Sequence, residues 1–126
     1  MVRMAKSNFP KRGEVWWVCF DPSIGTEPIR LVSAPVDGMK KTRPAIVMSN
    51  DSANEFLERI QVVPLTSNTA RVYPSEALVS VQGKKNKAAA DQVATVSKMR
   101  VYKKIGSLSA RDLAEVEYVL KIQLGL

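Results

Sequence analysis

Apolar and polar positions alternate through most of the chain, and the period lengthens only near the C-terminus. Residues 14–20 (EVWWVCF) are dense in aromatic and β-branched types and predict a strand. Alternation sends Val15, Trp17 and Cys19 to one face and Trp16, Val18 and Phe20 to the other. Both faces are apolar, so this strand belongs in a barrel wall or between two layers, with at least one tryptophan in the core. Residues 44–49 (PAIVMS), 59–67 (RIQVVPLTS) and 77–82 (ALVSVQ) predict further strands. Pro64 lacks an N–H and demotes the end of the third to an edge or a bulge. Asn50-Asp51-Ser52 reads as a helix cap ahead of one turn at 53–57. Residues 83–87 read as a turn, and 91–97 and 99–105 as two more strands, broken by Gly106.

Beyond residue 108 the period becomes helical. Ser109 with Asp112 three residues on predicts a capping box. Leu113, Val116, Leu120 and Leu124 recur at helical spacing, widened by Val119 and Ile122, and Gly125 stands where a C-cap belongs. The stripe is a core face or a dimer seam. Residues 21–42 form a long connection punctuated by Pro22, Gly25, Pro28, Pro35 and Gly38, with a short hairpin arm over 29–36. Residues 1–11 read as a flexible lead and 12–126 as a single domain. Many short strands, one long early connection and one terminal helix predict a mainly β (α+β) fold: a small, strongly bent β-barrel with a C-terminal helix packed on it.

Composition narrows the class. A chain of 126 residues, 45% hydrophobic and 25% charged, is neither disordered nor fibrous. No apolar run reaches the ~18–20 residues of a membrane span. The N-terminal residues show no apolar secretory region, and the lone Cys19 has no internal disulfide partner. A cytoplasmic protein, without membrane contact, is expected.

Charge and missing residue types say more. Nineteen Lys and Arg against twelve Asp and Glu leave a net charge of +7. The excess gathers at 84–104, where Lys84, Lys85, Lys87, Lys98, Arg100, Lys103 and Lys104 face only Asp91. Such a surface either keeps the protein soluble or attracts an anion, above all nucleic acid. The chain has no histidine. That removes Ser-His and Cys-His nucleophiles, the histidine pair of a ribonuclease-type site, and, with one cysteine, a structural zinc site. No phosphate-binding glycine loop is present, so a nucleotide cofactor is not expected. Any catalysis falls to Asp, Glu, Arg, Lys, Thr, Ser or Tyr.

Several short motifs then fall in order: Arg12-Gly13-Glu14-Val15-Trp16-Trp17-Val18, Asp21-Pro22 with Gly25-Thr26-Glu27, Thr42-Arg43-Pro44-Ala45-Ile46-Val47 and Ser49-Asn50-Asp51. Val63-Pro64-Leu65-Thr66-Ser67, Asp91-Gln92-Val93 and Ile105-Gly106-Ser107-Leu108-Ser109 follow. In that order and spacing the chain resembles the MazF/PemK family of toxin endoribonucleases, over roughly residues 11–124. The resemblance implies a dimeric SH3-like barrel that cuts single-stranded RNA with no metal or cofactor and is paired with a cognate antitoxin protein. The family's active-site arginine and threonine map onto Arg43 and Thr66, its loop glutamate onto Glu27, and its other polar site onto Asp91 and Gln92.

Those residue types suit the chemistry. Cleavage by the 2′-hydroxyl needs a base for its proton, donors for the phosphorane charge, and help for the leaving 5′-oxygen. Glu27 is the candidate base, Arg43 the fixed cation whose fork matches phosphate oxygens, and Thr66 a neutral donor. Lys40, Lys41 and Lys87 are candidate RNA contacts beside Asp91 and Gln92. Arg12 either braces the barrel or touches phosphate. Read one at a time, Arg43 is also an ordinary strand-start cation, Thr66 a β-former and Glu27 a solvated loop charge.

The chain departs from the family pattern twice. Ala88-Ala89-Ala90 precedes Asp91 where some relatives carry an arginine, and the connection from Glu27 to Arg43 is long. With Arg30, Lys40 and Lys41 beside Leu31, Val32 and Met39, the 28–42 segment is expected to be mobile and to contact both RNA and antitoxin. Two other readings stay open: a barrel that binds nucleic acid without cutting it, and a same-fold toxin that inhibits a protein target such as DNA gyrase.

Overall fold

The computed structural model describes residues 8–20 and 42–126. Glu27, Lys40, Lys41, the arm expected over 29–36, the contact segment at 28–42 up to residue 41, and most of the lead lie outside the described residues. The described residues form seven strands: β1 (Glu14–Cys19), β2 (Thr42–Val47), β3 (Arg59–Thr66), β4 (Glu76–Val81), β5 (Lys84–Ala89), β6 (Ala94–Ser97) and β7 (Val101–Ser107). Among the described residues the helices α1 (Asp51–Phe56) and α2 (Ala110–Leu124) accompany them. The strands pair antiparallel in the order β4-β5-β3-β2-β1-β7, with β6 also on β3.

The sheet is curled. Its two ends, β4 and β7, meet where Gln82 Nε2 donates to the Ile105 carbonyl at 2.7 Å. Curling gives it two apolar faces. Val15, Ile46, Val63, Leu65, Val79 and Val81 pack with Val116 and Val119 of α2. Val18, Ala45, Val47, Ile60, Val62 and Val96 form a second cluster, joined by the half-buried Trp16 and Phe20. β1 thus feeds both clusters, as its two apolar faces require. Both tryptophans are half-buried rather than fully enclosed.

β3 is the hinge of the architecture. Residues 59–62 pair with β6 and residues 65–66 with β5. Pro64, which has no N–H to give, stands in the gap where the partner changes. It is buried, and on its other side it pairs with Ala45 of β2.

Three expectations need correction. The turn read at 83–87 is only Gln82-Gly83, whose φ values of 51° and 78° fit the tight hairpin that right-twisted strands favour. Lys84–Ala89 is strand. The strands read at 91–97 and 99–105 begin later, behind 3₁₀ turns at Ala90–Gln92 and Lys98–Arg100. Gly106 does not break β7; it lies within it, opposite Val15.

α2 follows its periodicity. Ser109 Oγ accepts the Asp112 amide at 3.1 Å, and Gly125 closes the helix at φ 72°. The capping box is half made: Asp112 Oδ2 turns instead to the Ser80 amide at 2.9 Å, capping a donor of edge strand β4.

Candidate functional site

Arg43 opens the site. The following Pro44 restricts it to extended backbone, so it continues β2 rather than turning away. It pairs with Val18 of β1 and is exposed. On the other side of β2 the register runs Ala45 opposite Pro64 and Ile46 opposite Val63. Carried two residues on, that register sets Arg43 across from Thr66. Pro64 and Thr66 share one face of β3 because strand side chains alternate. Gln92 arrives from the 3₁₀ turn after β5, and its Oε1 receives Arg43 Nη1 at 3.5 Å. Phe20, Arg43, Pro64 and Gln92 line a cleft of about 270 Å³.

The cleft is suited to an anion. Among the described residues no carboxylate forms an ion pair with Arg43. Its guanidinium therefore keeps donors for an incoming phosphate. Thr66 Oγ1 accepts the Asn68 amide at 3.2 Å, which leaves its own proton to donate outward. Asp91 and Gln92 are both exposed at the rim. The turn that carries them is pinned by the Ala90 amide on the Ser75 carbonyl, 3.1 Å. Phe20 and Pro64 were not singled out in the sequence as site residues. The one signal for them was position: each lies in an apolar run next to a motif residue.

The structure brings Arg43 and Gln92 together over the cleft, leaves Thr66 to be placed by the continued β2–β3 register, and gives the side chains of Arg12 and Lys87 to protein partners. Arg12 donates to the Met48 carbonyl and pairs with Glu117 of α2. Its amide donates to Asp51 Oδ1 at 2.7 Å. Of the two readings of Arg12, bracing is the one these partners support. Lys87 is 8% exposed, and its ammonium meets Glu76 Oε1 at 3.2 Å and the Arg71 carbonyl at 2.8 Å. Protein acceptors occupy it, which favours a framework role over contact with RNA. Among the described residues no group of three His, Cys, Asp or Glu comes together to hold a metal. No helix among them is long and apolar enough to cross a membrane.

Fold and cleft together define a small curled barrel with an arginine and an amide side chain at the mouth of one cleft. Residues 11–124 match the family of PemK-like, MazF-like toxins of type II toxin–antitoxin systems, and the chain belongs to that family. It is 38% identical over 125 residues to the endoribonuclease MazF9 of Mycobacterium tuberculosis, covering 92% of this chain and 97% of that protein. Among solved structures, MazF of Deinococcus radiodurans superposes with a TM-score of 0.72 at 25% identity, over 94% of this chain and 98% of that one. MazF in the MazE–MazF complex of the same organism gives 0.68 at 26% identity, over 94% and 97%. The bent barrel with its terminal helix, expected from the residue pattern, is the fold these structures share.

Proposed function

We propose that the chain is the toxin of a toxin–antitoxin pair and an endoribonuclease that cuts single-stranded RNA without a metal ion. The 2′-oxygen attacks the adjacent phosphorus as its proton passes to a base, for which Glu27 is the candidate. The P–O5′ bond then breaks, and the 5′-oxygen takes a proton. The products are a 2′,3′-cyclic phosphate and a 5′-hydroxyl. Arg43 holds the charge of the phosphorane, a task for which a guanidinium fork is better suited than for taking a proton. It is also the candidate proton donor late in the reaction. Thr66 donates its hydroxyl proton to a non-bridging oxygen. Gln92 orients Arg43, and Asp91, Lys40 and Lys41 extend the RNA surface.

One observation carries this reading: Gln92 closes on Arg43 over a cleft that Phe20 and Pro64 also line, and the β2–β3 register, continued two residues past its last pair, supports Thr66 as the residue across from Arg43. A barrel that only binds nucleic acid has no need of that convergence. The relatives named endoribonuclease, and the neighbour solved with MazE, support both the activity and the antitoxin partner. The test is incubation of defined RNA with the protein in EDTA, with the fragment ends analysed. Cyclic phosphate and 5′-hydroxyl ends support the proposal. Cleavage that EDTA abolishes and Mg²⁺ restores overturns it, and so does binding without any cleavage.

The working form in this reading is a cytoplasmic homodimer. A two-fold seam extends a cleft too short for several nucleotides. Tyr118, Ile122, Leu124 and Leu126 stand exposed on and beyond the second half of α2, which supports the seam reading of that helix.

A further inference from the structure

A lysine ammonium has three donors and no acceptor, so it stays buried only where partners surround it. Lys87 is buried within β5, next to Ala88 in sequence and between Leu78 and Thr66 on the flanking strands. Its contacts share one origin. Glu76 Oε1, the Arg71 carbonyl and the ring of Tyr73, 5.9 Å from ammonium to centroid, all belong to residues 67–76. That segment leaves β3 at Thr66 and enters β4. Glu76 Oε1 also accepts the Tyr73 amide at 2.8 Å, so the carboxylate is shared between the lysine and the segment's own backbone.

Lys87 also stands opposite Thr66 in the β3–β5 ladder. One side chain therefore starts on the rung of Thr66 and grips the far half of the segment that Thr66 begins. The near half is tied to the Thr66 hydroxyl through the Asn68 amide. The end of the segment is tied to the turn bearing Gln92 through Ser75 and Ala90. A valine would fill a buried strand position without the desolvation that a charge imposes. The charge is explained if what matters is the path of residues 67–76.

The geometry points to Lys87 as a positioning residue: with Glu76 it shapes residues 67–76 so that the Thr66 hydroxyl is aimed into the Arg43–Gln92 cleft, and it does not itself touch RNA. This rests on the reading of Thr66 as a donor to the scissile phosphate.

The test is single-turnover cleavage of a defined RNA at saturating protein, comparing wild type with Lys87→Met, Thr66→Ala and the double variant. Lys87→Met is expected to slow the saturating rate about tenfold while the half-saturating concentration stays within about twofold. The double variant is expected to be no slower than Thr66→Ala alone, because both changes remove one interaction. An unchanged rate overturns the inference, as does an additive loss in the double variant or a loss confined to half-saturation. If Lys87→Met does not fold, Glu76→Gln decides the matter. It keeps the shape and an acceptor oxygen, and has to show the same non-additivity with Thr66→Ala at smaller size; additivity overturns the inference. A wild-type protein that cuts no RNA overturns the functional reading instead. The clasp is then read by hydrogen exchange at the amides of 68–76, which Glu76→Gln or Lys87→Met accelerates if it holds and leaves unchanged if it does not.

Discussion

Arg43 and Gln92 meet at 3.5 Å between Nη1 and Oε1, although 49 positions of chain separate them. One comes from the start of a strand, the other from a 3₁₀ turn pinned to Ser75. The contact is long and exposed, so it orients the guanidinium more than it binds it. Gln92→Ala is therefore expected to slow RNA cleavage by about three- to tenfold, the scale of one weak hydrogen bond to a charged group. Single-turnover cleavage measures this, and circular dichroism checks that the fold is kept.

Glu14 links stability to acid. Its carboxylate takes the Lys104 ammonium at 2.9 Å, the Lys11 amide at 2.9 Å and the Trp16 indole at 3.0 Å. Burial pushes its pKa up, but these donors outweigh burial and hold it below the ordinary 4.5. A depressed carboxylate stabilises the fold above its unfolded value, and the contribution disappears as pH falls through the folded one. Wild type is expected to lose stability as pH drops below about 4.5, and Glu14→Gln to lose less over the same window while being weaker at neutral pH. Urea unfolding across that range reads both.

Asn54 is 0% exposed in the middle of α1. Its Nδ2 donates to the Ser49 carbonyl at 2.9 Å, and its Oδ1 accepts the Ser49 hydroxyl. Replacing it with leucine removes the donor to the Ser49 carbonyl and the acceptor of the Ser49 hydroxyl proton, while the hydroxyl oxygen keeps the Gln61 amide. The expected loss is about 1–3 kcal/mol of unfolding free energy, visible as a lower urea midpoint at unchanged slope.

The exposed apolar end of α2 gives an oligomer test. The protein is expected to be a homodimer by light scattering at micromolar concentration, and Leu124→Glu to shift it toward monomer while keeping its secondary structure. A wild-type monomer contradicts the seam reading.

Legibility of the sequence followed the range of the interactions. α2 could be read with both caps because Ser109, the apolar stripe and Gly125 act within a few residues of one another. β5 read as a turn because Lys84, Lys85 and Lys87 look like a solvated run. What makes Lys87 a strand residue is Glu76, brought across by the β4–β5 hairpin. Gly106 looked like a breaker; its backbone is not in the left-handed region, and it pairs within the ladder opposite Val15, so it stays in the strand. Arg43 and Thr66 were legible through the ordered motifs around them. Phe20 and Pro64 were not, since an apolar residue at a cleft reads like an apolar residue in a core. The bracing role of Arg12 depends on Glu117, 105 positions away, and no local pattern announces it.

The most direct measurement of the central claim is the cleavage rate of folded Arg43→Ala protein on a defined single-stranded RNA in EDTA. Removing a preorganised donor from a developing oxyanion costs on the order of 10²–10³ in rate, so cleavage is predicted to fall by at least that much while the melting curve stays close to wild type. Thr66→Ala, which removes a neutral donor, is predicted to fall less. A folded Arg43→Ala protein that cuts at the wild-type rate would contradict the account.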